Sequence, residues 1–305
     1  MTTPKAPAVR LPPRSPLTRA IPTQSEGSGR LFLHRLRRYA TPGIIIPGAI
    51  LVIIIVLCYA GPTVFRLPSP TSGKLIDGLL PIGSPHHLLG TNSFGNDMVA
   101  QLLVGGQNTI TISVAATAIG FVVGSLIGMI SGYFEGILGA VLMRILDVIF
   151  AFPDIVLAVA IAAYLGPSVT NAIWAIGFFS IAGFGRIARA QTIRVVSRDF
   201  IVAARSSGSS PARILLTHVW PNIAGRVVAY GLVAVGYAMM AEATLSFLGV
   251  GVPSPTPSWG VIIGSNQNFI SVAPQLIIMP AICLFAVIAS ANLFSDAIQN
   301  KRVAE

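Results

Sequence analysis

Residues 98–134 read MVAQLLVGGQNTITISVAATAIGFVVGSLIGMISGYF, a stretch without one charged side chain. A helix needs about 20 mostly apolar residues to cross a bilayer, and this run is longer than that. Within it Gly120, Gly124, Gly128 and Gly132 recur at every fourth position, preceded by Ala116 and continued by Gly136. At helical spacing these residues form a smooth ridge along which another backbone can come close, as helices do in lipid. The ridge predicts a neighbouring helix rather than a substrate.

Working outward, three more charge-free runs appear: Tyr39 to Phe65, Ile155 to Gly185, and Ala243 to Ser295. The whole chain of 305 residues is 53% hydrophobic and only 10% charged, against about 25% charged in a soluble domain. With a mean hydropathy of +0.78, the chain reads as an all-α, polytopic membrane protein. Six spans are expected: Ile44 to Ala60, Thr109 to Ile130, Ile137 to Leu165, Asn171 to Ile187, Ile223 to Phe247, and Gln275 to Leu293. Gly166-Pro167 breaks the chain before the fourth.

Charge sets the orientation. Of the 20 basic residues, eight lie between Lys5 and Arg38 and seven between Arg186 and Arg226. By the positive-inside rule both segments are cytoplasmic, and an even number of spans puts both termini on that side, with Lys301 and Arg302 in agreement. The net charge of +10 is therefore a topology signal and not a nucleic-acid footprint. Residues 1–42, basic and Pro-rich, read as a disordered cytoplasmic tail able to touch anionic lipid. The membrane-spanning body is expected over 43–300, with an outer segment at about 62–108. The first apolar run reads as a retained anchor, since its basic flank is too long for a signal peptide and no small-x-small site follows.

Charges inside the spans are few. Arg144 and Asp147 lie three residues apart, which predicts an intrahelical pair near the cytoplasmic end of the third span. Asp154, after Pro153, and Glu242 are each open to two readings, a place on a translocation path or gate, or a helix–helix hydrogen bond. Enzymatic readings lack parts: there is no H-E-x-x-H and no G-x-S-x-G, and Gly73-Lys74 runs into Leu75 where a Walker A loop needs Ser or Thr. No catalytic residue and no metal site is expected. His86-His87 reads as a surface turn, and Cys58 and Cys283 as small hydrophobes.

Residues 199–222 read DFIVAARSSGSSPARILLTHVWPN. Asp199 can cap a short helix that Gly208 stops; Ser210-Pro211 can start a second, which Pro221 ends. This pattern resembles the E-A-A-x3-G-x9-I-x-L-P loop of importer permeases in the ATP-binding cassette (ABC) superfamily. Ala203, Ala204, Gly208 and Pro221 fall at the required spacing, His218 takes the Ile position and Trp220 the Leu position, while Val202 stands where the family has Glu. Residues 87–97 (HLLGTNSFGND), 143–153 (MRILDVIFAFP) and 241–251 (AEATLSFLGVG), followed by PTPSWG to Gly260, are similar to stretches of the dipeptide/oligopeptide/nickel branch.

The resemblance implies a type I importer permease fold that moves di- or oligopeptides, or nickel or another small solute, by alternating access. It implies a homologous permease partner, two cytoplasmic ATPase subunits that bind ATP and Mg, and an extracytoplasmic substrate-binding protein, with no cofactor held by this chain. It also implies that Phe200, Ala203, Ala204, Arg205, Gly208, Pro211, His218 and Pro221 belong to a coupling loop. Arg144, Asp147, Asp154 and Glu242 are the candidates for the path. An ion-coupled carrier working alone, with Asp147, Asp154 and Glu242 as its ion path, is the other class considered.

Overall fold

The charge-free runs are built largely of helix. The computed structural model describes residues 42–134 and 136–303; the tail expected over 1–42 lies, up to residue 41, outside them. The helices are α1 (Pro42–Val64), α2 (Met98–Ile119), α3 (Ser125–Tyr133), α4 (Ile137–Phe150), α5 (Asp154–Leu165) and α6 (Val169–Val196). After them come α7 (Asp199–Ser206), α8 (Pro211–Ile214), α9 (Trp220–Phe247), α10 (Trp259–Asn266) and α11 (Gln275–Val303). No strand occurs among the described residues.

Among the described residues five helical stretches are long and apolar enough to cross a membrane, namely α1, Met98–Tyr133, α6, Pro211–Phe247, and Gln275–Ala297 within α11. The pair α4 and α5, bent by 82° between them, supplies a sixth crossing when taken as one span.

That bend corrects the continuous third helix expected over Ile137 to Leu165. Pro153 has no N–H to give, and its ring pushes the residue before it out of helical conformation, so α4 ends at Phe150 and α5 restarts at Asp154.

The second span also starts earlier than Thr109. Asp97 caps α2 by accepting from the Ala100 N–H at 2.8 Å. The polar residues that delay the sequence reading are satisfied by loops: Gln101 donates to the Pro70 carbonyl at 2.9 Å and Asn108 to the Pro257 carbonyl at 2.7 Å. A π-helical turn, Gly120–Gly124, joins α2 to α3, so both form one rod.

The glycine ridge lies along α6. A Cβ on Gly120 would strike Ser180, on Gly124 the Ile181 carbonyl, on Gly128 the Gly185 carbonyl, and on Gly132 Thr192 at 2.8 Å. Gly136 departs from the ridge: it sits between helices with φ +91 and open space where a Cβ would be. Along this seam van der Waals contact between backbones replaces the hydrophobic drive that lipid cannot supply.

Small residues continue the packing outward, where Ala116, Ala158, Ala162, Ala172, Ala175, Ala238 and Ala241 share one buried cluster from α2, α5, α6 and α9. Toward the outer side Trp259, 1% exposed, donates its indole N–H to the Leu102 carbonyl at 2.9 Å and ties α10 to α2. Cys58 is buried, Cys283 half-buried, and both are free thiols.

Pro221 does not end a helix. The chain is helical from Pro211 to Phe247, through a π turn at Leu215–Val219. The i→i+5 spacing of that turn meets the proline at its end and relieves the i→i−4 bond that Pro221 cannot make.

Candidate functional site

Two regions carry chemistry, one at the helix-turn-helix of α7 and α8 and one in the membrane beside the α4–α5 bend. At the first, Arg198 stands at the N-cap and Asp199 in the first turn of α7. Gly208, at φ +77, closes that helix: its N–H donates to the Arg205 carbonyl at 3.0 Å and the Ser209 N–H to the Ala204 carbonyl at 3.1 Å. This nested pair needs a left-handed residue at Gly208, a conformation that glycine adopts without strain. Ser210 then caps α8 by accepting from the Arg213 N–H at 3.4 Å, with Pro211 at the first turn.

The two short helices have an inside and an outside. Ile201 and Ile214 are fully buried in a cluster with Met129, Phe184, Val219, Ile223 and Val227, so the turn is continuous with the packing of α3, α6 and α9. Phe200, Val202, Ala203, Arg205, Gly208, Pro211 and Ala212 are exposed, as is Pro221 further on; Ala204 and His218 are half-buried. The Arg205 guanidinium lies 4.7 Å from the centroid of the Tyr133 ring. With Val202 in place of a carboxylate, that ring is what faces the Arg205 charge.

From this cluster a row of edge-on aromatic contacts runs inward. Trp220 meets Phe121 at 5.7 Å between centroids, Phe121 meets Phe184 at 5.7 Å, and Phe184 meets Tyr230 at 4.9 Å. Tyr230 lines the second region, a cleft of about 460 Å³ between the α4–α5 bend, α6 and α9. The rest of its wall includes Phe150, Pro153, Asp154, Phe179, Ser180, Tyr237 and Met240.

The four charges that are candidates for the path separate by surroundings. Arg144 is exposed on α4 and is not the partner of Asp147, contrary to the intrahelical pair expected from their spacing. Asp147 accepts instead from Arg186 of α6 at 2.9 Å, and the Arg186 guanidinium stacks 3.8 Å from the centroid of the Phe150 ring. A planar guanidinium can bridge helices and cover an aromatic face at once, which a spacing of three within one helix does not reveal.

Asp154 is exposed in the cleft. Glu242 is 0% exposed and accepts from the Ser246 hydroxyl at 2.7 Å. Ser246 in turn accepts from the Val252 N–H at 3.1 Å, so the carboxylate braces the turn after α9. Thr109 and Ser258 stand beside it, both fully buried.

Contacts that local sequence reading misses are long-range. His87 pairs with Asp97 at 2.9 Å in the outer segment, and Arg226 donates to Gln191 at 2.8 Å between α9 and α6. His87 lies within the quoted HLLGTNSFGND stretch, whose two ends this pair joins. Among the described residues no group of three or more His, Cys, Asp or Glu could hold a metal.

Comparison with known proteins gives one consistent result. Residues 124–303 match the family model described as "Binding-protein-dependent transport system inner membrane component". The chain is 38% identical over 217 residues to the glutathione transport system permease protein GsiD of Escherichia coli O6:K15:H31 (strain 536 / UPEC), covering 71% of this chain and 72% of that protein. The same figures hold for GsiD of Shigella boydii serotype 4 (strain Sb227). Among solved structures, an inward-facing conformation of the MetNI methionine ABC transporter superposes with a TM-score of 0.54 at 16% identity, over 66% of this chain and 95% of that one. At that identity the likeness is one of fold, a type I importer permease.

Proposed function

This chain belongs to the binding-protein-dependent transport system inner membrane components, as an ABC importer permease of the dipeptide/oligopeptide/nickel branch, and from that premise we propose that its cargo is short peptides. It is a multi-pass transport subunit, not itself a catalyst, and its family implies the bacterial inner membrane, ATPase partners and a substrate-binding protein. In our reading it pairs with a homologous permease to frame the pore, two cytoplasmic subunits hydrolyse ATP, and both of its own termini are cytoplasmic. The peptide assignment leans on the glutathione permease relatives, glutathione being a peptide. The ion-coupled carrier is set aside with the family.

The observation that carries the mechanism is the two-sided helix-turn-helix. Its outer face, with Phe200, Ala203, Arg205, Gly208 and Pro211, would dock on an ATPase subunit. Its inner face is anchored by Ile201 and Ile214 among α3, α6 and α9. A short rigid element of this kind transmits a push on one side as a displacement of the spans on the other. Small Ala203 lets a partner surface approach, and the aromatic row from Trp220 to Tyr230 gives the displacement packed side chains to travel through. Alternating access then opens the cleft beside Asp154 to one face of the membrane at a time.

Gly208→Asp tests the docking. Asp tolerates a left-handed backbone better than most residues, so the turn survives, while a carboxylate is set into the outer face. In vesicles holding the full importer, we expect normal insertion and continued ATP hydrolysis with uptake reduced about tenfold or more. Uptake at the wild-type level removes this loop from the coupling mechanism.

A further inference from the structure

We propose that the cleft beside Asp154 receives a primary ammonium group, the protonated amino terminus of the peptide in transit. The inference rests on the peptide reading above and adds to it a named point of contact.

Among the described residues Asp154 is the one charged side chain in the wall of the cleft. Among the described residues it takes part in neither ion pair nor side-chain hydrogen bond, whereas Asp147 holds Arg186 and Glu242 holds Ser246. An ionisable residue within a span normally faces a partner or water, so an unpartnered carboxylate on a cavity wall marks a place where a cation arrives.

The remaining wall fits an ammonium. Tyr230 and Tyr237 bring aromatic rings, whose faces attract a cation, and with Ser180 they bring hydroxyls, while the Phe150 ring is already covered by Arg186. Tyr237 and Met240 are 68% and 55% exposed, so the cleft is open on a side that none of the described helices covers. A volume of about 460 Å³ suits a small-molecule-sized fragment, one end of a peptide.

A single carboxylate falls short of a calcium site, which takes six to eight oxygen ligands, and among the described residues no group of three or more His, Cys, Asp or Glu could hold a metal. An anionic group would meet Asp154 as a like charge. An amino terminus is the cation that peptides of any sequence share, and holding it lets one cleft pass many side chains. A lysine side chain offers the same group and is separated from it by the test.

The test uses the assembled importer in vesicles, with its own binding protein inside or outside as uptake requires. Uptake is compared for tri-alanine, N-acetyl-tri-alanine and N-acetyl-Ala-Ala-Lys, in wild type, Asp154→Asn and Asp154→Glu. The expected result is a preference for free over acetylated tri-alanine that Asn lowers at least tenfold and Glu restores. If N-acetyl-Ala-Ala-Lys shares that Asp154-dependent preference, the cleft reads any ammonium and the assignment to the terminus falls.

An equal loss for all three peptides, or an unchanged ratio, assigns Asp154 to structure or to the neighbouring permease and overturns the inference alone. If wild type moves no peptide, both the peptide reading and this inference fall. Because the binding protein also selects, a second measurement omits it: alkylation of Met240→Cys in the assembled permease pair and ATPases. Free tri-alanine should slow labelling at least twofold more than the acetylated form, and Asp154→Asn should abolish the difference; equal protection by both overturns the inference.

Discussion

The seam between α2–α3 and α6 and the arm formed by α4 and α5 are neighbours in the same bundle, yet they are built on opposite terms. Along the seam glycines face backbone carbonyls, and side chains such as Ile112, Phe184 and Ala188 are fully buried. Along the arm Ile137, Val141, Ile145, Val148 and Ile155 are all exposed, and the charges Arg144, Asp147 and Asp154 remain open. A protein that must open and close around a cargo needs both. The seam supplies a body that moves as one piece, because close-packed interiors transmit displacement instead of absorbing it. The arm supplies a surface free to meet lipid, a second permease or substrate, and its 82° break lets the Asp154 carboxylate reach the cleft.

The largest effect should come from filling the seam. Gly124→Val sets a branched side chain against the Ile181 carbonyl and the Gly185 N–H, and backbone atoms cannot rotate aside. Overpacking typically costs about 1–3 kcal/mol and more against rigid neighbours, so we expect about 3 kcal/mol or more. The readouts are the yield of monodisperse protein in detergent and its thermal unfolding. Val141→Ala on the arm, where the side chain is 51% exposed, should stay within about 0.5 kcal/mol. Equal effects at the two sites would erase the distinction between seam and arm.

How far these regions can be read from sequence follows from the range of the interactions. The glycine ridge is a local signal of period four, and it gives the face that meets α6 without naming α6. Spans follow from charge-free runs, and the turn at Gly208 from residues within one helical turn of it. What escapes is set by partners far apart in the chain: Asp147 with Arg186, Trp220 with Phe121, and the loop carbonyls of Pro70 and Pro257 that satisfy Gln101 and Asn108. Pro153 and Pro221 show the limit most clearly. Both are prolines near apolar helices; one breaks its helix, and the other sits at the end of a π turn that carries the helix through.

A middle-sized effect should separate the two carboxylates that the sequence leaves alike. Glu242→Leu removes the acceptor of the Ser246 hydroxyl and loosens the turn that Ser246 holds through the Val252 N–H. A buried donor left without its acceptor costs about 1–3 kcal/mol, and Glu242→Gln, which keeps an oxygen acceptor, should cost less than half as much. Thermal unfolding in detergent gives both values. Should Glu242→Leu be as stable as wild type while transport is lost, Glu242 belongs with the path and not with the packed body.

The smallest effect is expected from the ion pair that joins the arm to α6. Asp147 and Arg186 are each 46% exposed at the side chain, so water and salt screen them, and such pairs contribute about 0–1 kcal/mol. Arg186 also keeps its place over Phe150 when the carboxylate is gone, because stacking at 3.8 Å does not depend on Asp147. A double-mutant cycle with Asp147→Asn and Arg186→Gln, followed by thermal unfolding at low and high salt, should give a coupling below about 1 kcal/mol that shrinks with salt. A coupling of about 3 kcal/mol, insensitive to salt, would mean that the pair is shielded in the working assembly. The arm would then be closed by a neighbour as tightly as the seam is closed by α6, and the openness of its face would be a property of the single chain alone.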